Sequence, residues 1–148
     1  MSDFLRLQIY LDDDGTAELF AEMHANGFSG SSSAWIQPEE LRGLASKLAL
    51  AFPLGETLSL GGGYWSGTPA SLSQEHLGLS FYPVAGRGVV GCQVRLATSL
   101  GRDDRTTSQY MVQAEILTSY QELQQFAQAL DMLCAGKGQE AVLNGVAV

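Results

Sequence analysis

Lysine is nearly missing from this chain: Lys47 and Lys137 are the only two in 148 residues, and the formal net charge is −8. A surface of that sign repels a phosphate backbone, which argues against nucleic acid as a partner. It favours solubility and can attract a basic protein, although acidity alone requires no partner. Cysteine is as scarce. Cys92 sits in an expected strand and Cys134 at an expected helix end, so two free thiols in a reducing compartment are expected rather than a disulfide framework. Long apolar runs are absent too. The longest, Leu48 to Leu54, contains Pro53 and is far too short to span a bilayer. The opening Met1-Ser2-Asp3-Phe4 lacks the basic and apolar stretches of a secretory leader. A cytoplasmic protein without membrane attachment is the expectation.

Histidine is limited to His24 and His76, which leaves little material for acid–base chemistry or metal binding. Two cysteines and two histidines at scattered spacing do not form a zinc pattern, and no metal or cofactor is expected. Asp12-Asp13-Asp14-Gly15 has calcium-like acids but lacks the loop spacing and distal glutamate of an EF-hand, so a tight hairpin explains it better. Gly27-Phe28-Ser29-Gly30 has the wrong spacing for a nucleophile elbow. Gly86-Arg87-Gly88-Val89-Val90-Gly91 matches a dinucleotide fingerprint in letters alone. That motif needs a helix after it to hold the pyrophosphate, and an alternating strand-like run comes next instead. No catalytic residue is assigned.

The chain does have an ordinary globular balance, 45% hydrophobic and 16% charged. The length suits a single α+β domain over residues 1–148. Strands are expected where apolar residues recur every second position: Leu5 to Leu11, Ala17 to Met23, Ser33 to Ile36, Leu77 to Phe81, Val90 to Leu96 and Tyr110 to Ile116. Asp14-Gly15 and Asn26-Gly27 supply hairpin turns. A helix is expected from Pro38, with Glu39 and Glu40 at its positive end and Leu41, Leu44, Ala45 and Leu48 on one face. A second starts at a Ser119/Glu122 capping box and carries Leu123, Phe126, Ala127, Leu130 and Leu133, with Gly136 to cap its end. Residues 54–75 read as irregular, and 137–148 as a weakly ordered tail.

The order is therefore βββα-(β)βββα. The helices share a register, Glu40-Leu41, Leu44-Ala45 and Leu48 against Glu122-Leu123, Phe126-Ala127 and Leu130. Two halves, 4–53 and 54–136, related by duplication are one reading; two amphipathic stripes matching by geometry are the other. Paired edge to edge, the halves would make one antiparallel sheet of about six strands with both helices on one face. Its open face would carry Arg6, Gln8, Tyr10, Glu18, Phe20, Glu22, Tyr82, Arg95 and Gln113. Such a mixture is what a solvated sheet face shows by default, and also what a protein-binding face shows. Gly61 to Gly67 stands apart, three glycines before Tyr64 and Trp65. These aromatics are either exposed anchors or a lid folded onto the core.

Ser33-Ala34-Trp35-Ile36-Gln37-Pro38-Glu39-Glu40-Leu41 and Ile116-Leu117-Thr118-Ser119-Tyr120-Gln121-Glu122-Leu123 are strands entering helices through an acidic-Leu start. In this, and in the strands between, the chain resembles small bacterial immunity-type proteins of the WapI-like group, or a related bacterial family. The resemblance implies a protein that neutralises a toxin, and it carries over no functional residue. A non-enzymatic protein-binding domain is the leading expectation, its protein partner a basic toxin domain if the resemblance holds. A small-ligand binder or enzyme beside the Gly61–Gly67 segment is the second, and a homo-oligomer pairing with itself the third. The candidate surface residues are Tyr10, Tyr64, Trp65, His76, Tyr82, Arg95 and Gln113.

Overall fold

The computed structural model describes residues 2–84 and 88–147. Its elements are β1 (Phe4–Leu11), β2 (Ala17–Ala25), β3 (Phe28–Ile36), α1 (Pro38–Leu50), β4 (Leu58–Ser66), β5 (Ser71–Val84), β6 (Val89–Ala97), β7 (Met111–Ser119), α2 (Tyr120–Cys134) and β8 (Ala141–Asn144). The fold is α+β with antiparallel sheets, as the alternating runs imply. The turn chemistry works as expected: Asn26 and Gly27 both take positive φ, 51° and 85°, as a two-residue hairpin turn with the right twist requires. Ser119 caps α2 by accepting from the Glu122 amide at 3.2 Å. The helix ends with Gly136 N–H donating to Leu133 and Lys137 N–H to Met132, the paired bonds of a Schellman cap. Ala85, Gly86 and Arg87 of the glycine-rich turn lie outside the described residues. The chain continues from that turn into strand β6, not into the helix a dinucleotide site needs.

The expected single sheet of about six strands is not what forms. There are two sheets of four, ordered β3-β2-β1-β8 and β4-β5-β6-β7. Two strands escaped the sequence pattern. In β4 the period is intact, with Leu58, Leu60 and Gly62 buried, but glycine carries no side chain with which to announce it. In β8 only Ala141 and Leu143 point inward, too few to read as alternation. This segment is tied to both sheets. Gly145 N–H donates to Asp3 O, Val146 N–H to Leu117 O, and Thr118 Oγ1 to Asn144 O.

The sheets also do not join edge to edge. β3, an edge of the first sheet, touches β4, β5, β6 and β7 of the second. Gly30 lies against the Val112 side chain, Ser32 Oγ donates to Ala97 O at 2.7 Å, and Ala34 abuts Gly62. In the second sheet Gly62, Leu77, Leu96 and Val112 form one cross-strand row, so β3 runs across those strands rather than beside them. A Cβ on Gly62 would lie 2.6 Å from the Ala34 Cβ, closer than carbon atoms approach.

Inside, rows such as Leu58/Phe81/Cys92/Ile116 meet the apolar stripes of the helices, with the Phe81 and Phe126 rings 6.2 Å apart. Arg42, early in α1, donates to Cys134 O at the end of α2, while Leu54 N–H, after α1, donates to Tyr120 Oη at the start of α2. The helices therefore lie antiparallel. α1 hands the chain to β4, an edge of the second sheet, and α2 hands it to β8, an edge of the first. Among the described residues, no helix is long and apolar enough to cross a membrane.

Gly62→Val should lower stability by about 1–3 kcal/mol through overpacking at the crossing, read as a lower urea midpoint. Gly43→Ala, in helix α1 with open space around its Cβ position, should leave stability unchanged or raise it by up to about 1 kcal/mol.

Candidate functional site

Strand pairing fixes the outer face of the first sheet as three rows: Arg6/Glu22/Ser31, Gln8/Phe20/Ser33 and Tyr10/Glu18/Trp35. Left alone this would be a flat solvated face. Because β3 lies against the second sheet, Gly63, Tyr64, His76, Thr98 and Ser99 rise beside it as a wall, and Glu140 closes the other side. Floor and wall enclose an open groove of about 900 Å³.

Its chemistry is aromatic and acidic. Phe20, Trp35 and Tyr64 are 41%, 52% and 49% exposed, large amphipathic surfaces held on rigid strands. Among the described residues the single cation in the lining, Arg6, is engaged by two carboxylates: it pairs with Glu22, and its Nε lies 3.1 Å from Glu140 Oε2. The guanidinium also sits 5.0 Å from the centre of the Phe4 ring. Glu18 accepts a hydrogen bond from Ser33 Oγ at 3.0 Å. One arginine against three glutamates leaves the groove negative.

His76 reaches the wall through a β-bulge. Gly62 pairs with Leu77 and Gly63 with Glu75, so His76 is the extra residue, and a bulge re-aims the side chain it carries. Its ring meets Tyr64 edge-on at 4.6 Å, and its Nε2 lies 2.6 Å from Gln74 Oε1. The Gln74 amide is oriented by Leu100, whose N–H donates to Oε1 and whose carbonyl accepts from Nε2. His76 Nε2 must therefore be the donor, leaving Nδ1 as its one basic nitrogen. Burial pulls the His76 pKa below its ordinary value, so the ring is neutral at pH 7. Among the described residues it hydrogen-bonds no carboxylate and no nucleophile, and no cluster of three or more His, Cys, Asp or Glu side chains could hold a metal ion.

The seven candidate residues do not converge. Tyr64 and His76 line the groove, and Tyr10 stands in the floor row with Glu18 and Trp35. Trp65, next along β4, points the other way, into a smaller groove beside α1. Tyr82, Arg95 and Gln113 lie on the outer face of the second sheet, which the expected single sheet would have joined to Tyr10. There Tyr82 donates to Glu115, and burial first, then that carboxylate, holds its phenol well above the ordinary value. Glu75 turns away from the groove, its carboxylate lying over Gly61 and Gly78. Tyr110, expected to point inward from a strand, lies before β7 and is 80% exposed. Cys92 and Cys134 are buried and free, both thiols pushed up by burial. Glu18, Phe20 and Trp35 were not among the candidates. The outward alternation of Glu18 and Phe20 was visible, but not that of Trp35, nor the wall that makes their face concave.

His76 gives a signed pH dependence. Its folded pKa is below the unfolded value, so the unfolded chain takes up the proton first as pH falls. Its neutral form contributes stability above the unfolded value near 6.5, and that contribution is lost as pH falls below it. Between pH 7 and 5, His76→Gln should lose less stability than the parent in urea titrations, and the His76 ring should titrate below the ordinary value of 6.5 by NMR. No family model, curated protein or solved structure matches the chain.

Proposed function

We propose that this chain is a non-enzymatic protein-binding domain whose partner sits on the outer face of the first sheet. The observation that supports it most is the groove itself: three half-exposed aromatic rings beside Glu18, Glu22 and Glu140, preformed on paired strands. Aromatic side chains dominate the energetics of protein interfaces, and a preorganised surface loses little entropy on binding. The net charge of −8 would steer a basic partner toward the chain and raise the association rate. A basic toxin domain is a partner of that kind, with this chain as its bacterial, cytoplasmic immunity protein.

A second reading rests on a separate observation. The groove volume falls in the range of small-molecule sites, about 300–1,000 Å³, and the Nδ1 of His76, without a hydrogen-bond partner among the described residues, belongs to its wall. A polar small ligand held between Tyr64 and Trp35 is the alternative occupant.

The test is capture from the native host at low salt with the parent chain, Trp35→Ala and Glu18→Gln/Glu22→Gln. The protein reading expects a partner held by the parent, released at high salt, and bound at least tenfold more weakly by Trp35→Ala. The absence of any partner specific to the parent at low salt contradicts it. A shift in thermal unfolding with a small-molecule library, abolished by Trp35→Ala, would then favour the second reading.

A further inference from the structure

The second groove differs in construction from the first. One side is a run of edge strand, Thr57 to Gly61, and the other is the Glu39–Lys47 face of α1. It encloses about 520 Å³. β4 ends its sheet, and among the described residues no strand lies beyond it. In an antiparallel ladder alternate residues of an edge strand turn both N–H and C=O away from their neighbour. Among the described residues the backbone of Leu58 to Gly61 has no backbone partner outside its pairing with β5. β3, which crosses the second sheet, lies against Gly62, and a Cβ on Gly61 would meet no β3 atom within 4 Å. An unpaired edge beside a helix is a ready template for one more strand.

The helix leaves room for it. Gly43 faces the groove, and a Cβ there would meet nothing within 4 Å. Thr57 to Gly61 spans about 16 Å at about 3.3 Å per residue, enough to pair a segment of four or five residues. The lining charge is Glu39, Glu40 and Glu56 against Lys47, and Trp65 stands 53% exposed at the far end, a face on which a cation can rest.

We propose that an extended, lysine- or arginine-bearing segment of another protein adds to β4 as a fifth strand of the second sheet, its cationic side chains reaching Glu39, Glu40 and Glu56. A second copy of this chain does not suit the site. Each copy carries −8, and none of the described edge strands it could offer, β3, β4, β7 and β8, bears a lysine or arginine. The site lies on the other side of β4 from the Trp35 groove, and it stands or falls independently of the function proposed for that groove.

The test titrates the full ¹⁵N-labelled chain with an acetylated octapeptide alternating lysine and valine, and with its glutamate counterpart. The lysine peptide should shift amides in 39–47 and 57–61 and the Trp65 indole. It should also slow hydrogen exchange at alternate β4 amides at least tenfold. Gly43→Trp should weaken binding at least tenfold without lowering the thermal midpoint, and Trp35→Ala should leave binding unchanged. Any of four results overturns the proposal: no shift at 57–61 at millimolar peptide, unchanged exchange in β4, equal binding of the glutamate peptide, or loss of binding in Trp35→Ala. The last would assign the peptide to the first groove, leaving the function proposed there intact.

Discussion

The contact between Ala34 and Gly62 governs the rest of the molecule. Two twisted four-stranded sheets could meet in several ways, and here an edge strand of one lies across the strands of the other. That crossing is possible because a glycine occupies β4 where the backbone passes under β3. It closes one end of the core, so that Leu77 and Leu96 of the crossed row are shielded from water. It also raises Tyr64 and His76 beside the first sheet, turning a flat face into a concave one. The larger groove depends on one missing side chain.

Much of this fold was legible in the sequence because its strands are half-buried and its helices amphipathic, the two patterns that alternation and helical spacing report directly. The Asn26-Gly27 turn, the Ser119 cap and the Gly136 stop are local chemistry and read as such. The features that failed to show were non-local. Gly61 to Gly63 hid a strand because glycine has no polarity to alternate, although Leu58 and Leu60 were already in phase. Ala141 and Leu143 became a strand only because β1 offers them a partner. Splitting one expected sheet into two separated Tyr10 from Tyr82, Arg95 and Gln113, a division that pattern cannot foresee since both faces alternate alike. For the site, the aromatic and acidic character of Tyr10, Glu18 and Phe20 was on view; its concavity was not.

The charged groups of the larger groove are held in place by fixed partners. Arg6 is shared between Glu22 and Glu140, and Glu18 is held by Ser33, so these carboxylates are oriented by fixed partners. His76 is committed at Nε2 to Gln74, and burial favours its neutral form. A partner approaching this surface meets fixed rings and fixed negative charge, with little to reorganise.

The larger groove rests on the crossing, and a nuclear Overhauser experiment on labelled protein measures it directly. A crossed β3 gives close contacts from the Ala34 methyl to the Gly62 Cα protons and from Gly30 to the Val112 methyls. It gives no ladder of amide contacts running along β3 to a strand of the second sheet. A continuous ladder pairing β3 with β4 or β7 would mean one broad sheet, a flat outer face and no groove of this form.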